Sequence, residues 1–269
     1  MEAGGDDFAP VPRETMLALA GPDPTLCVEA LHAGYGSMEV LHGIDLCVGA
    51  GQSVCVVGPN GAGKSTALNA VFGLCDVSAG RVLAGGIDIT RASPGERFRN
   101  HGIAYMLQDS SIFPDLSVEE NLWLGGHLLP GQSDARAAAE RIFERYPRLA
   151  DRRRQPAGVL SGGERRLLEI SRSLVMEPRI LLVDEPSIGL EPRYVRMVFD
   201  LLAELQHRDR KTIVVVEQNV RKGLEFADIG LVMVSGKVVM ANSARQLLED
   251  PRVGELFLGG GRVAEPIAC

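Results

Sequence analysis

The sequence predicts an α/β protein whose central sheet is covered by helices on both faces. Three observations predict it. The runs 53–57, 180–184 and 212–216 are short and almost continuously apolar, without the polar alternation of a half-exposed strand. Helical stretches 163–176 and 193–207 precede the second and third runs, so helices and strands alternate. A glycine-rich turn joins the first run directly to a further helix, 65–74. With 269 residues, 45% hydrophobic and 23% charged, the chain has apolar mass for one sizeable core.

The elements follow in order. Residues 1–24 are rich in Gly, Pro and acids and read as a flexible tail. Strands are expected at 26–31, 44–48 and 53–57, with Gly49-Ala50-Gly51 turning between the last two. A strand pair at 81–89 turns at Gly85-Gly86, and 102–107 is a further strand. Residues 117–155 lack strand signals, and 135–146 has the spacing of an amphipathic helix. The stretch of about 109–165 therefore reads as an inserted helical subdomain. After the run at 212–216 come strands 229–234 and 237–240, a helix at 243–249 and a short C-terminal tail, 260–269.

Composition excludes several classes. The net charge of −7 argues against a nucleic-acid partner, which would favour a basic chain. No apolar run approaches the roughly 18 residues that cross a bilayer. The N-terminus carries Glu2, Asp6 and Asp7 with no basic cluster, unlike a signal peptide. A soluble cytoplasmic protein, able to dock on a membrane partner, is expected. Cysteines at 27, 47, 55, 75 and 269 are odd in number and lack CxxC spacing, so neither disulfides nor a zinc site are expected, and the first four read as core residues. His32, His42, His101, His127 and His207 show no ligand spacing.

Gly58-Pro59-Asn60-Gly61-Ala62-Gly63-Lys64-Ser65-Thr66 matches G-x-x-x-x-G-K-[ST] between a strand and a helix. The glycines let backbone N–H groups wrap a β-phosphate, and the helix N-terminus adds its positive dipole end. Lys64 supplies a mobile cation for β/γ oxygens, and the Ser65 hydroxyl suits Mg²⁺. The run 180–184 ends in Asp184 and Glu185, two acids where a buried parallel strand places a site. Asp184 is expected to hold Mg²⁺ through water, and Glu185 to orient or deprotonate an attacking water. Leu160-Ser161-Gly162-Gly163-Glu164 opens a long helix. Ser161 and Glu164 make a capping box, and the two glycines leave N–H groups bare for a second anion. One chain already has a phosphate loop, so this spare site reads as serving the nucleotide of another copy.

These three motifs, in this order, resemble those of the ATPase subunits of ATP-binding-cassette (ABC) transporters. Ser161 lies 97 residues after Lys64, and Asp184 lies 23 residues after Ser161. The resemblance covers residues 25–259 and implies a P-loop core with an antiparallel β subdomain and an inserted helical subdomain. It implies ATP and Mg²⁺ as cofactors and ATP hydrolysis as the activity. Tyr35 matches the aromatic that stacks on adenine. Gln108 matches the glutamine that touches Mg²⁺ and the lytic water, and residues 187–190 match a loop that crosses a dimer interface. Gln218 stands where the family usually has a histidine at the γ-phosphate; it can donate a hydrogen bond but carries no charge, which leaves the base role to Glu185. Transmembrane permease subunits, a second ATPase subunit (identical or related) and, indirectly, a solute-binding protein are the implied partners. A peripheral place on the cytoplasmic face of the cell membrane follows.

Several segments resemble the LivF-type branch, which serves branched-chain amino-acid importers. They are Ala33-Gly34-Tyr35-Gly36 with Val40-Leu41-His42-Gly43-Ile44, the segment 112–122, Tyr146-Pro147-Arg148-Leu149, Val216-Glu217-Gln218-Asn219 and Asp250-Pro251-Arg252-Val253. That branch often has Glu at the place of Gln108 and two glutamines at the place of Arg165-Arg166. Urea or short amides are the alternative solutes. A DNA-repair ATPase of this family would need a long coiled coil between the motifs, and translation ATPases carry two cassettes; a P-loop kinase would not need residues 160–164. The mechanism implied is a clamp: two subunits close head to tail on two ATP molecules, each held by residues 58–66 of one copy and 161–163 of the other. The motion leaves through Gln108 and residues 109–122.

Overall fold

The computed structural model describes residues 10–107 and 112–258. The chain opens with α1 (Arg13–Ala20), β1 (Leu26–Tyr35), β2 (Met38–Val48), β3 (Ser53–Val57), α2 (Lys64–Phe72), β4 (Asp76–Ala84) and β5 (Ile87–Asp88). A second stretch holds α3 (Pro94–His101), β6 (Ile103–Met106), α4 (Val118–Gly125), α5 (Gln132–Arg145), α6 (Pro147–Ala150) and α7 (Gly162–Leu174). The last comprises β7 (Ile180–Asp184), α8 (Pro192–His207), β8 (Thr212–Glu217), α9 (Val220–Phe226), β9 (Ile229–Val234), β10 (Lys237–Ser243), α10 (Ala244–Glu249) and α11 (Pro251–Leu258).

Two sheets divide the strands. One is antiparallel, in the order β2-β1-β4-β5. The other has six strands in the order β10-β9-β3-β8-β7-β6, all parallel except β10. Side chains of the parallel strands alternate between two cores. Val54, Val56, Val214, Val216, Ile180 and Leu182 face the antiparallel sheet and α2. Leu181, Val183, Ile213 and Val215 face the helical side, and Cys55 and Val57 pack toward α9 and α10. Burial on both faces is why these runs carry no polar alternation.

The helical insertion is closed at its base. Val118 and Glu119 donate backbone N–H bonds to Gln155 and Arg153, and Ser117 bridges Pro156. Ser117 starts α4 with a capping box completed by Glu120, and Ser161 starts α7 in the same way with Glu164. Arg153 pairs with Glu119 and Glu140 and lies 4.6 Å from the Phe143 ring, so this one residue of the basic stretch 152–154 fastens the insertion from within.

Two expectations are corrected. Residues 13–20 are not a flexible tail: α1 packs on β2 and β10 with Met16 and Ala20 buried, and Arg13 pairs with the buried Glu29. The Gly, Pro and acid content around it hid a single apolar stripe on a helix. The disulfide expectation is corrected too. Cys27 and Cys47 stand directly opposite across β1 and β2 and are joined as a disulfide. Their pairing depends on strand register, which sequence spacing does not encode. Cys55 and Cys75 remain free, Cys55 buried in the core as expected. No helix of the described residues is long and apolar enough to cross a membrane.

Candidate functional site

The phosphate loop leaves the parallel sheet at the C-terminal end of β3. Gly61 and Gly63 have φ of +80° and +96°, in the left-handed region that only glycine enters freely. A Cβ on Gly58 would stand 2.2 Å from the Met233 carbonyl oxygen, so that position too must lack a side chain. The back of the loop is fastened, because Gly236 donates its N–H to the Ala62 carbonyl. Pro59, Asn60 and Gly61 form the exposed crest, while Ala62, Gly63 and Thr66 are buried.

Lys64 is buried, and its ammonium donates to the Gly58 and Pro59 carbonyls at 2.9 and 3.2 Å. The same Nζ lies 4.0 Å from Glu185 Oε1. Ser65 Oγ donates to Asp184 Oδ1 at 3.0 Å, and Tyr105 Oη donates to Asp184 Oδ2 at 3.1 Å. Four of the residues read from sequence thus meet at one end of the sheet. Burial pushes the Asp184 carboxyl above its ordinary value, against the pull of Ser65, Tyr105 and Lys64. Glu185 is also raised, first by burial; Lys64 opposes this, and Asp184 and Glu217 add to it. Glu185 has φ +42°, a conformation that costs a non-glycine residue about 1 kcal/mol or more and is retained where structure over-determines it.

The neighbouring turns converge here. Glu217, buried at the end of β8, accepts N–H bonds from Ser187 at 3.0 Å and Asn219 at 3.1 Å. One carboxylate thereby sets both the turn after Glu185 and the turn carrying Gln218. Gln218 is exposed on that second turn. Tyr35, at the end of β1, accepts a 2.7 Å hydrogen bond from Asn69 of α2, which places its half-exposed ring beside the helix that the loop opens. Gln108 lies outside the described residues.

The residues expected to form a second anion site stand apart. Ser161 and Gly162 are exposed at the start of α7, in a cleft of about 510 Å³ lined by Arg148, Arg152, Gly163 and Tyr194 but by no phosphate-loop residue. The two glycines differ. A Cβ on Gly162 meets nothing within 4 Å, whereas one on Gly163 would lie 2.3 Å from the Tyr194 ring. Gly162 has open space where a side chain would stand; Gly163 is required by a close-packed ring.

Sequence reasoning missed Tyr105, Asn69, Glu217 and Tyr194. Only Glu217 left a signal, an acid closing an apolar run as Asp184 does. The described residues hold no group of three or more His, Cys, Asp or Glu side chains able to hold a metal. Ser65 of the loop and Asp184 at the end of β7 offer a hydroxyl and a carboxylate joined by a hydrogen bond. That hard-oxygen pair fits Mg²⁺, which takes few protein ligands and fills its shell with phosphate and water.

The ABC transporter family matches residues 41–188, more than half of the chain. A probable branched-chain amino-acid transport ATP-binding protein, LivF, of Archaeoglobus fulgidus is 36% identical over 85% of this chain and 96% of its own length. The lipopolysaccharide-export ATP-binding protein LptB of Haemophilus influenzae is 32% identical over 87% of this chain and 97% of its own. Among solved structures, an ATP-binding cassette of an ABC transporter in its ADP conformation superposes with a TM-score of 0.78 at 28% identity, covering 88% of this chain and all of that one. Likeness of this extent, over a phosphate loop and acid-ended strand already in place, has one reading: the chain belongs to the ABC transporter family, as an ATP-hydrolysing subunit.

Proposed function

We propose that this ATPase drives a branched-chain amino-acid importer. The observation that carries the hydrolytic part is the Lys64–Glu185 and Ser65–Asp184 cluster at the loop. Support for the solute comes from the LivF-like relative and from the segments of LivF-type sequence around Tyr35, Tyr146 and Gln218. The LptB relative supports a second reading, lipopolysaccharide export by the same motor.

Residues 58–66 wrap the β- and γ-phosphates with backbone N–H groups. Lys64 exchanges its loop carbonyls for phosphate oxygens, trading neutral acceptors for charged ones. Ser65 and, through water, Asp184 would hold Mg²⁺, which would supply positive charge to the phosphate oxygens. Glu185 orients the attacking water and takes its proton. Gln218 would donate to the γ-phosphate, Gln108 would serve the metal and the attacking water, and Tyr35 would stack on adenine. Ser161, Gly162 and Gly163 present the α7 N-terminus to the nucleotide of a second ATPase subunit. Release of the γ-phosphate opens this clamp, since nucleotide bound more tightly in one state shifts the population toward it. The motion passes to transmembrane permease subunits, which receive solute from a binding protein, and the chain works at the inner face of the membrane.

The test is Glu185→Gln. The chain should bind ATP within about threefold of the wild type, lose turnover by about 100- to 10,000-fold, the span of a general base, and accumulate as dimer. Near-normal turnover would remove Glu185 from the base role. ATP turnover in the presence of permease, stimulated by a loaded leucine-binding protein and not by lipopolysaccharide, would establish the solute.

A further inference from the structure

We infer that Tyr105 is a positioning residue that holds the Asp184 carboxylate for the metal-bearing nucleotide. The inference rests on Asp184 facing that metal. β6 and β7 run parallel as neighbours, and Tyr105 reaches across to Asp184 Oδ2 at 3.1 Å. Asp184 is 4% exposed, and its other oxygen is held by Ser65 at 3.0 Å. Ser65 cannot be a lasting support, because its hydroxyl is itself a ligand candidate. Tyr105 is free of that duty and holds the other oxygen, Oδ2, by a bond that does not pass through Ser65.

The ring is fixed in its own right. Tyr105 packs edge-on against Phe72, the last residue of α2, with centroids 5.5 Å apart and planes at 61°. The helix that begins in the phosphate loop therefore ends against the ring whose hydroxyl aims the carboxylate. Losing an outer hydrogen-bond partner of a metal ligand typically weakens metal affinity about 10- to 100-fold. A buried carboxylate oxygen left without a donor turns to find another and loses its aim.

Tyr105→Phe keeps the ring and removes only the hydroxyl. Mn²⁺ serves as the probe, titrated by electron paramagnetic resonance into the full chain loaded with a non-hydrolysable ATP analogue. We expect Mn²⁺ affinity to fall about tenfold, while affinity for the analogue in EDTA stays within about twofold. Phe72→Leu, which loosens the ring and spares the hydroxyl, should cost less than about threefold in Mn²⁺ affinity. Unchanged Mn²⁺ binding in Tyr105→Phe overturns the inference. So does an equal loss of metal-free nucleotide binding, which marks a merely structural role. Asp184→Asn separates the two levels: if it loses Mn²⁺ and Tyr105→Phe does not, only the role of Tyr105 fails. If Asp184→Asn binds Mn²⁺ normally, the assignment of Asp184 and this inference fail together.

Discussion

Two helices of this protein begin at glycine-rich turns, and they are built in opposite ways. At the start of α2, buried ionisable groups crowd together without sufficient compensation: Lys64, Asp184 and Glu185 lie within one cluster, and both acids are raised by burial. At the start of α7, the polar groups satisfy one another. Ser161 Oγ receives the Glu164 N–H at 3.3 Å, and Glu164 Oε2 receives the Ser161 N–H at 2.9 Å. Those Ser161 bonds hold the Glu164 carboxyl below its ordinary value. The first end stores chemistry at a cost in stability; the second contributes stability and offers only shape and backbone donors.

The largest expected effect on nucleotide binding breaks the first end. Lys64→Ala removes charge-assisted bonds to phosphate and should weaken ATP binding about 30- to 150-fold by calorimetry, the range for bonds worth about 2–3 kcal/mol. Normal affinity would take the phosphate loop out of the site. The second end responds to bulk. Gly163→Ala drives a methyl into the Tyr194 ring and should lower turnover about tenfold while nucleotide binding to the phosphate loop is unchanged, a displacement of the order that costs well-placed groups their alignment. Adding Tyr194→Ala should restore most of it in a turnover assay. A double variant as slow as the single one would place the demand for Gly163 in the nucleotide and not in the ring.

Glu164→Ala sharpens the contrast through stability. Losing the capping box should cost about 1 kcal/mol, a fall of a few degrees in Tm by calorimetry, with ATP binding at the loop intact. The smallest effect is in the pH dependence, where the two ends have opposite signs. Glu164 is lowered in the fold, so its contribution is present at neutral pH and lost as pH falls through its folded value. Asp184 and Glu185 are raised, so the folded state holds their protons more tightly than the unfolded one. Their contribution therefore improves as pH falls from the folded values toward the unfolded ones. Turnover moves the other way: it needs Glu185 ionised, so its acid limb should lie above the ordinary carboxylate range near 4.3, and Glu185→Gln should abolish that limb in its residual rate.

Much of this was legible because it is local. The strand 180–184 and the loop 58–66 stand where the sequence placed them, since continuous apolar runs and glycines at fixed offsets act within a few residues. Short amphipathic helices were less legible. α1, α3, α4, α9 and α11 span only seven or eight residues each, too few for a clear period. In the site, Lys64, Ser65, Asp184 and Glu185 could be named because each sits in a motif or at the end of a strand.

By itself, the sequence determined the alternation of strands and helices, the phosphate loop and the acids that close β7. These depend on residue type at short spacing. Tertiary structure alone decided which distant groups would meet. It set Tyr105 on Asp184 across a strand pair, Tyr194 against Gly163 between two helices, and Cys27 opposite Cys47. It gave Glu217 command of two turns at once. Strand register and helix packing carry that information, and both follow from burial of the whole chain, not from any window of it.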